Sequence, residues 1–224
     1  MLYSKIFKPK KMTLFYKQTG QGRPIILLHG NGEDHRIFDI LTQQLSAHFT
    51  VYALDSRGYG KSPQTNDFHY SLMAEDVVKF IEEKQLERPI LYGFSDGGII
   101  GLLIASRYPK LLSRLIISGA NSSPKGLKWH WRALACIHYF FTRSAKTQLM
   151  IREPNITKND LHKIDIPTLV LAGENDIIKT SDTHFIAQNI SRSTLNILPK
   201  ENHDSYVVNS PKLFGIIEKF IGLK

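Results

Sequence analysis

Gly93-Phe94-Ser95-Asp96-Gly97-Gly98 lies between a short apolar run, Pro89-Ile90-Leu91-Tyr92, and a longer one, Ile99 to Ala105. That context reads as a strand, a sharp turn and a helix. Gly-x-Ser-x-Gly in such a setting has the pattern of a nucleophile elbow. The turn forces an unfavourable backbone on the serine, and the glycines supply room that side chains would block. The result is an exposed hydroxyl at the carboxyl end of a strand, beside a helix N-terminus that favours developing negative charge. Alone, the pattern also fits a Gly/Ser turn with no chemistry, so the flanking sequence has to decide.

On the N-terminal side, Met12 to Lys17 alternates like a half-buried strand, closed by Gly20-Gln21-Gly22. Pro24 to Leu28 is a continuous apolar run, as a strand buried on both faces of a parallel sheet requires, and it ends at His29-Gly30-Asn31-Gly32. Asp34 is placed to cap a helix carrying Ile37, Ile40, Leu41 and Leu45. Phe49 to Leu54 gives the next strand, before the glycine-containing loop Asp55 to Ser62, and Ser71 opens a helix with Met73, Val77, Phe80 and Ile81 on one face. On the C-terminal side the strands are Arg114–Ser118, Pro167–Gly173 and Thr194–Leu198. A helix falls near Asp182 to Ile190, and a last one carries Ser210 as cap, Pro211 in its first turn and Leu213, Ile216, Ile217, Phe220 and Ile221 as its stripe. Alternating strands and helices predict an α/β fold: a mostly parallel, doubly wound sheet in a single domain over 1–224, with a small helical insertion at about 121–163.

Composition sets the class. The chain has 224 residues, 42% hydrophobic and 22% charged, which suits a globular domain with a sizeable core. One cysteine, Cys136, excludes an internal disulfide and fits a reducing compartment. Met1 to Pro9 has no apolar core of signal-peptide length, and no run approaches a membrane span, so the expectation is a cytoplasmic protein without stable membrane insertion. The net charge of +9 is scattered, with mild clusters at Lys8-Lys10-Lys11 and from Lys125 to Arg152. No nucleic-acid motif accompanies it, so the basic residues read as a solvated surface and nucleic acid is not an expected partner.

A serine hydroxyl needs a base, normally histidine, held in turn by an acid. An elbow serine expects them later in the chain, in the order acid, histidine. Ala172-Gly173-Glu174-Asn175-Asp176 follows one strand and Asn202-His203-Asp204 follows the next. The carboxyl ends of parallel strands share one edge of the sheet. Three loops therefore deliver Ser95, Asp176 and His203 to one place.

His29-Gly30-Asn31-Gly32, Asp55 to Ser62, the elbow, Gly173 to Asp176 and Asn202-His203, in this order, resemble an α/β-hydrolase of the serine-nucleophile, esterase-like type. The resemblance covers roughly residues 12–120 and 160–222. It implies Ser95 as nucleophile, His203 as general base and then acid, and Asp176 as the residue orienting the imidazole. It also implies an oxyanion hole from the backbone N–H groups of Asp96 and Asn31, and neither metal nor cofactor. Glu174 is an alternative acid; the other site used in this family, Ser118 to Asn121, contains no carboxylate. His29 reads as a brace for its loop. A serine at position 95 argues against the aspartate-nucleophile subclass.

Between the halves of the sheet, Trp129, Trp131, Leu134, Ile137, Phe140 and Phe141 make the insertion aromatic and apolar. Two readings follow: the aromatics face Ser95 as a lid, with Trp129 and Phe140 contacting substrate, or they pack the insertion onto the domain. A small apolar lid favours a small acyl substrate, an ester or thioester cleaved through an acyl-enzyme. The same triad also serves aminopeptidases, carbon–carbon bond hydrolases and perhydrolases, and a non-catalytic binding member would keep the fold. An aminopeptidase needs an acidic pocket for the substrate amine, and the insertion supplies only Glu153 and Asp160, which counts against that reaction. Oligomeric state is left open by the sequence.

Overall fold

The computed structural model describes residues 12–223. The leader reading of Met1 to Pro9 and the Lys8-Lys10-Lys11 cluster lie outside the described residues. Seven strands form one sheet: β1 (Tyr16–Thr19), β2 (Arg23–Leu28), β3 (Phe49–Leu54), β4 (Ile90–Phe94), β5 (Arg114–Ser118), β6 (Thr168–Gly173) and β7 (Ser193–Leu198). Their order is β1-β3-β2-β4-β5-β6-β7; β1 runs antiparallel to β3 and every other pair is parallel. The first strand starts later than its alternation suggests. Pairing begins at Tyr16 opposite Leu54, and the Phe15 carbonyl is taken by the Asp55 N–H at 2.9 Å.

Successive residues of the central strands face opposite layers. Ile26, Leu28, Leu91, Leu115 and Ile117 join α2 (Tyr70–Glu83) and α3 (Asp96–Arg107) on one side. Ile25, Leu27, Ile90, Tyr92 and Ile116 join α1 (Asp39–Leu45) and α8 (Lys212–Ile221) on the other. This two-sided burial is why β2, β4, β5 and β6 read as unbroken apolar runs. Asp34 caps a 3₁₀ turn, His35–Phe38, rather than α1 itself, accepting from the Arg36 N–H at 2.9 Å.

Residues between β5 and β6 carry α4 (Trp129–Thr142), α5 (Ala145–Arg152) and α6 (Lys158–His162). Leu161 of α6 is buried in the core beside α3. Pro124 to Arg152 is the part that stands off the sheet. Its base is tied to the loop after β6: Lys128 N–H donates to the Ile177 carbonyl at 2.9 Å and Lys179 N–H to the Gly126 carbonyl at 2.8 Å. α7 (Thr180–Gln188) completes the order. No described helix is long and apolar enough to cross a membrane.

Since β2 is flanked by β3 on one side and β4 on the other, the strand order reverses between β2 and β4 while the strands stay parallel. Ligands bind at the carboxyl ends of strands at such a switch point. His29-Gly30-Asn31 ends β2 and Ser95 ends β4.

Candidate active site

Ser95 has φ 51° and ψ −113° between β4 and α3. For a non-glycine residue that backbone costs on the order of 1–3 kcal/mol, so its surroundings must impose it. A Cβ on Gly93 would lie 2.1 Å from the Gly97 carbonyl oxygen, and one on Gly97 would lie 2.2 Å from that of Leu28. The two glycines of Gly-x-Ser-x-Gly are thus required by main-chain contact. The Ser95 N–H donates to the Ser118 carbonyl at 2.7 Å, and the Ser95 carbonyl accepts from Gly98 and Ile99. Nothing in the helix can take the N–H of Asp96, in the first turn of α3.

The expected partners arrive from two other loops. His203 Nε2 lies 3.2 Å from Ser95 Oγ, and His203 Nδ1 lies 2.7 Å from Asp176 Oδ1. Asp176 is buried, and its Oδ1 also accepts the Ile178 N–H at 2.9 Å. Phe94 packs its ring against the imidazole, centroids 4.9 Å apart. Gly119 passes beneath with φ +61°; a Cβ there would lie 2.7 Å from His203 Cε1 and 2.8 Å from Nδ1. Glu174 accepts instead from the Lys200 N–H, and Asp204 is exposed.

The loop after β2 runs against the nucleophile: a Cβ on Gly30 would lie 3.0 Å from that of Ser95. Gly30 N–H donates to Glu33 Oε2 at 2.9 Å, which leaves the N–H of Asn31 as the next donor along. The Asn31 side chain donates to Asp96 Oδ2 at 3.0 Å, and the Tyr70 hydroxyl donates to Asp96 Oδ1 at 2.6 Å. Burial raises the Asp96 carboxyl above its ordinary range, opposed by those two bonds. Burial also pushes the Glu33 carboxyl up to about 7, against the pull of the Gly30 N–H and of His203. His29 is a brace. Its Nε2 accepts the Ser56 N–H at 3.0 Å, so Nδ1 carries the proton and donates to the Gly30 carbonyl at 2.7 Å. Burial lowers its basicity and keeps the ring neutral.

Among the described residues, Asp34, His35 and Asp55 form the one group of side chains close enough to share a metal, their ligand atoms all within 4.8 Å of one another. Their oxygens are already committed. Asp55 accepts from the His35 ring and N–H and from the Lys61 N–H, and Asp34 is clasped by Arg36. Buried Arg57 similarly holds Asp76 through two bonds of 2.6 and 2.8 Å. The Asp55–Ser62 motif therefore serves as scaffolding for the site.

A cavity of about 20 Å³ sits beside Ser95, lined by Tyr70, Asp96, Leu127, Met150, Glu153 and Ile178 among others. That is room for about one water. A larger cleft of about 370 Å³ reaches His203 from the other side, between Trp131, Asn175, Ile177, Asn202 and Asp204. Trp129 and Phe140 line neither; they are 77% and 65% exposed. The insertion follows neither expected packing: α4 has no buried residue at all. Of the six exposed large apolar side chains of α4, Trp131 alone lines either opening. Glu153 was visible in the sequence as an acid of the insertion but without a place; Leu127, Met150 and Tyr70 had no signal there, because their approach to Ser95 depends on tertiary packing.

A family model described as alpha/beta hydrolase fold matches residues 23–143. The chain is 29% identical to Serine hydrolase BPHL of Homo sapiens, over 93% of this chain and 82% of that protein. It is 27% identical to the AB hydrolase superfamily protein YisY of Bacillus subtilis (strain 168), over 93% and 95%. Among solved structures, the esterase EaEST from Exiguobacterium antarcticum has a TM-score of 0.82 at 20% identity, over 94% of this chain and 96% of that one. Est816, described as an N-acyl homoserine lactone degrading enzyme, has a TM-score of 0.80 at 20% identity, over 97% and 99%. At such identities the likeness shows the fold.

Proposed function

This chain belongs to the α/β-hydrolase fold family and is a hydrolase, and we propose that it cleaves small carboxylic esters or thioesters through an acyl-enzyme on Ser95. The observation that carries the reading is the hydrogen-bonded line from Ser95 Oγ through His203 to buried Asp176, 3.2 and 2.7 Å long. In this reading Ser95 Oγ attacks the substrate carbonyl as His203 Nε2 takes its proton. The N–H groups of Asn31 and Asp96 hold the oxygen that becomes negative; each such donor contributes about 3 kcal/mol to the transition state. His203 then protonates the departing alkoxide or thiolate. Water attacks the acyl-enzyme, gives its proton to His203, and the acid leaves as Ser95 recovers the proton. Asp176 keeps the Nδ1 proton facing it throughout.

The narrow cavity beside Ser95 favours a short acyl group, and the wider cleft beside His203 favours a larger leaving group. A fluorophosphonate probe should label the wild type and not Ser95→Ala. A nitrophenyl ester series should lose turnover as the acyl chain lengthens. Labelling of the alanine variant, or no turnover of any ester or thioester, would overturn the reading.

One observation favours a second reading, an acyl group carrying an amine. Glu153 lines the cavity at Ser95, its carboxylate held by the Tyr70 N–H at 3.1 Å and the His69 ring at 2.5 Å. In that case Glu153→Gln raises KM for aminoacyl esters and leaves plain esters unaffected. An equal change for both removes this alternative.

A further inference from the structure

α4 is built inside out. At 3.6 residues per turn, Trp129, Leu134, Ile137, Phe140 and Phe141 fall within one arc of about 140°. Each is between 55% and 77% exposed. The half-buried Ala135 and Tyr139 lie on the opposite side of the helix, so the apolar arc points away from the body of the protein. A contiguous apolar face of this kind on a soluble domain marks an interaction surface.

Within the part that stands off the sheet the charges are all of one sign, with acids nearby at Asp182, at its base, and Asp204, across the cleft from Trp131. From Asn121 to Arg152 there is no aspartate or glutamate, while Lys125 and Lys128 precede the helix, Arg132 lies in its first turn and Arg143 follows it. The ion pairs that lysine and arginine make among the described residues are formed elsewhere in the molecule. The Arg143 guanidinium lies 5.6 Å from the ring centroids of both Tyr139 and Phe140, at the C-terminal end of the face. Aromatic and aliphatic side chains bordered by unpaired cations match the headgroup zone of an anionic bilayer. A second copy fits poorly, because a twofold contact would set this cationic rim against itself. So does the segment Met1–Lys11, which carries four lysines and no acid.

We propose that the outward face of α4 docks the enzyme peripherally on an anionic phospholipid surface. Trp129, Leu134, Ile137, Phe140 and Phe141 enter the headgroup region, and Lys125, Lys128, Arg132 and Arg143 meet lipid phosphates. On the same helix Trp131 borders the cleft that reaches His203. Trp131 lies just outside the apolar arc, so docking holds the larger opening of the site beside the lipid surface, where apolar esters concentrate. The basic stretch Lys125 to Arg152 is then more than a solvated surface. This goes beyond the hydrolase reading and does not depend on Ser95 reacting.

Both tryptophans of the chain, Trp129 and Trp131, are in α4, so tryptophan emission, excited where the nine tyrosines do not absorb, reports this helix alone. With phosphatidylcholine vesicles containing phosphatidylglycerol, the emission shifts to the blue and the protein floats with the lipid. Pure phosphatidylcholine binds about tenfold or more weakly, and salt at ~0.5 M weakens the anionic binding. Ile137→Ser/Phe141→Ser, which keeps both tryptophans, also loses about tenfold or more, as does the charge-only variant Arg132→Glu/Arg143→Glu should the first fail to fold. Ser95→Ala floats as the wild type does, which separates this test from that of the chemistry. Absence of binding to anionic vesicles, undiminished binding by both double variants, or a dimer in sedimentation that Ile137→Ser/Phe141→Ser alone disrupts would each overturn the proposal.

Discussion

Around Ser95, Gly93, Gly97 and Gly119 have no room for even a methyl group, whereas on α4 Trp129 and Phe141 are each 77% exposed. The two regions share one cleft, lined by Trp131 and His203, and obey opposite rules. At the sheet edge, strand ends approach so closely that main-chain contacts choose the residue. On the insertion, a helix anchored at its base has solvent on most sides, and packing places little constraint on its side chains. Precision is concentrated where strands converge, because only there do several rigid elements fix one atom.

The largest effect expected from breaking the tight region is at Asp176. Asp176→Asn retains shape but offers an amide to His203 Nδ1, so the ring loses the acceptor that fixes its tautomer. We expect kcat to fall about 10⁴-fold with the circular dichroism spectrum unchanged. Less than a tenfold fall would remove Asp176 from the line. Next is Gly119→Ala. The added carbon would lie 2.7 Å from His203 Cε1 on a backbone with φ +61°, so the imidazole must shift away from Ser95. A kcat loss of about 10²-fold should accompany a stability loss on the order of 1 kcal/mol. A variant with normal turnover would show that His203 has slack.

The contrast also explains what the sequence disclosed. Gly93, Gly97, Ser95, Asp176 and His203 were legible because their constraints act on the main chain or on a fixed order of strand ends. Those constraints leave one residue type in one place. The strands read well for a related reason: Ile25 to Leu28 and Leu115 to Ile117 are packed on both faces and leave no polar position. α4 gave an equally apolar pattern, yet apolarity carries no direction. Whether Phe140 faces inward depends on where α5 lies, and α5 has no mark in the sequence. Glu33 was silent for the same reason, and Glu153, visible as an acid of the insertion, had no readable position, since the neighbours of both are set by tertiary packing.

A subtler effect belongs to Glu33, at the border of the tight region. Its folded carboxyl titrates at about 7, above the ordinary glutamate range near 4.3. Between those values the native protein binds more protons than the unfolded chain. Stability should therefore fall as pH rises from about 4.5 to 7, by an amount on the order of 1–3 kcal/mol. Glu33→Gln removes this component, so the difference in unfolding free energy between variant and wild type should grow in the variant's favour across that window. A pH-independent difference would mean that the carboxylate is ionised throughout.

The smallest effect sharpens the comparison most. Phe38 is fully buried against α1 and β4, and Phe38→Ala should cost about 3–5 kcal/mol through lost burial and the cavity left behind. Phe141→Ser removes a ring of the same size from α4. Because that ring is 77% exposed, it gives up little burial and opens no cavity. The expected change in urea-unfolding free energy is within about 0.5 kcal/mol. A phenylalanine that the fold does not need, on a helix with no buried residue, is what the proposed docking face requires. A loss of about 2 kcal/mol or more at Phe141 would instead place α4 within the folded core and dissolve the distinction between the two regions.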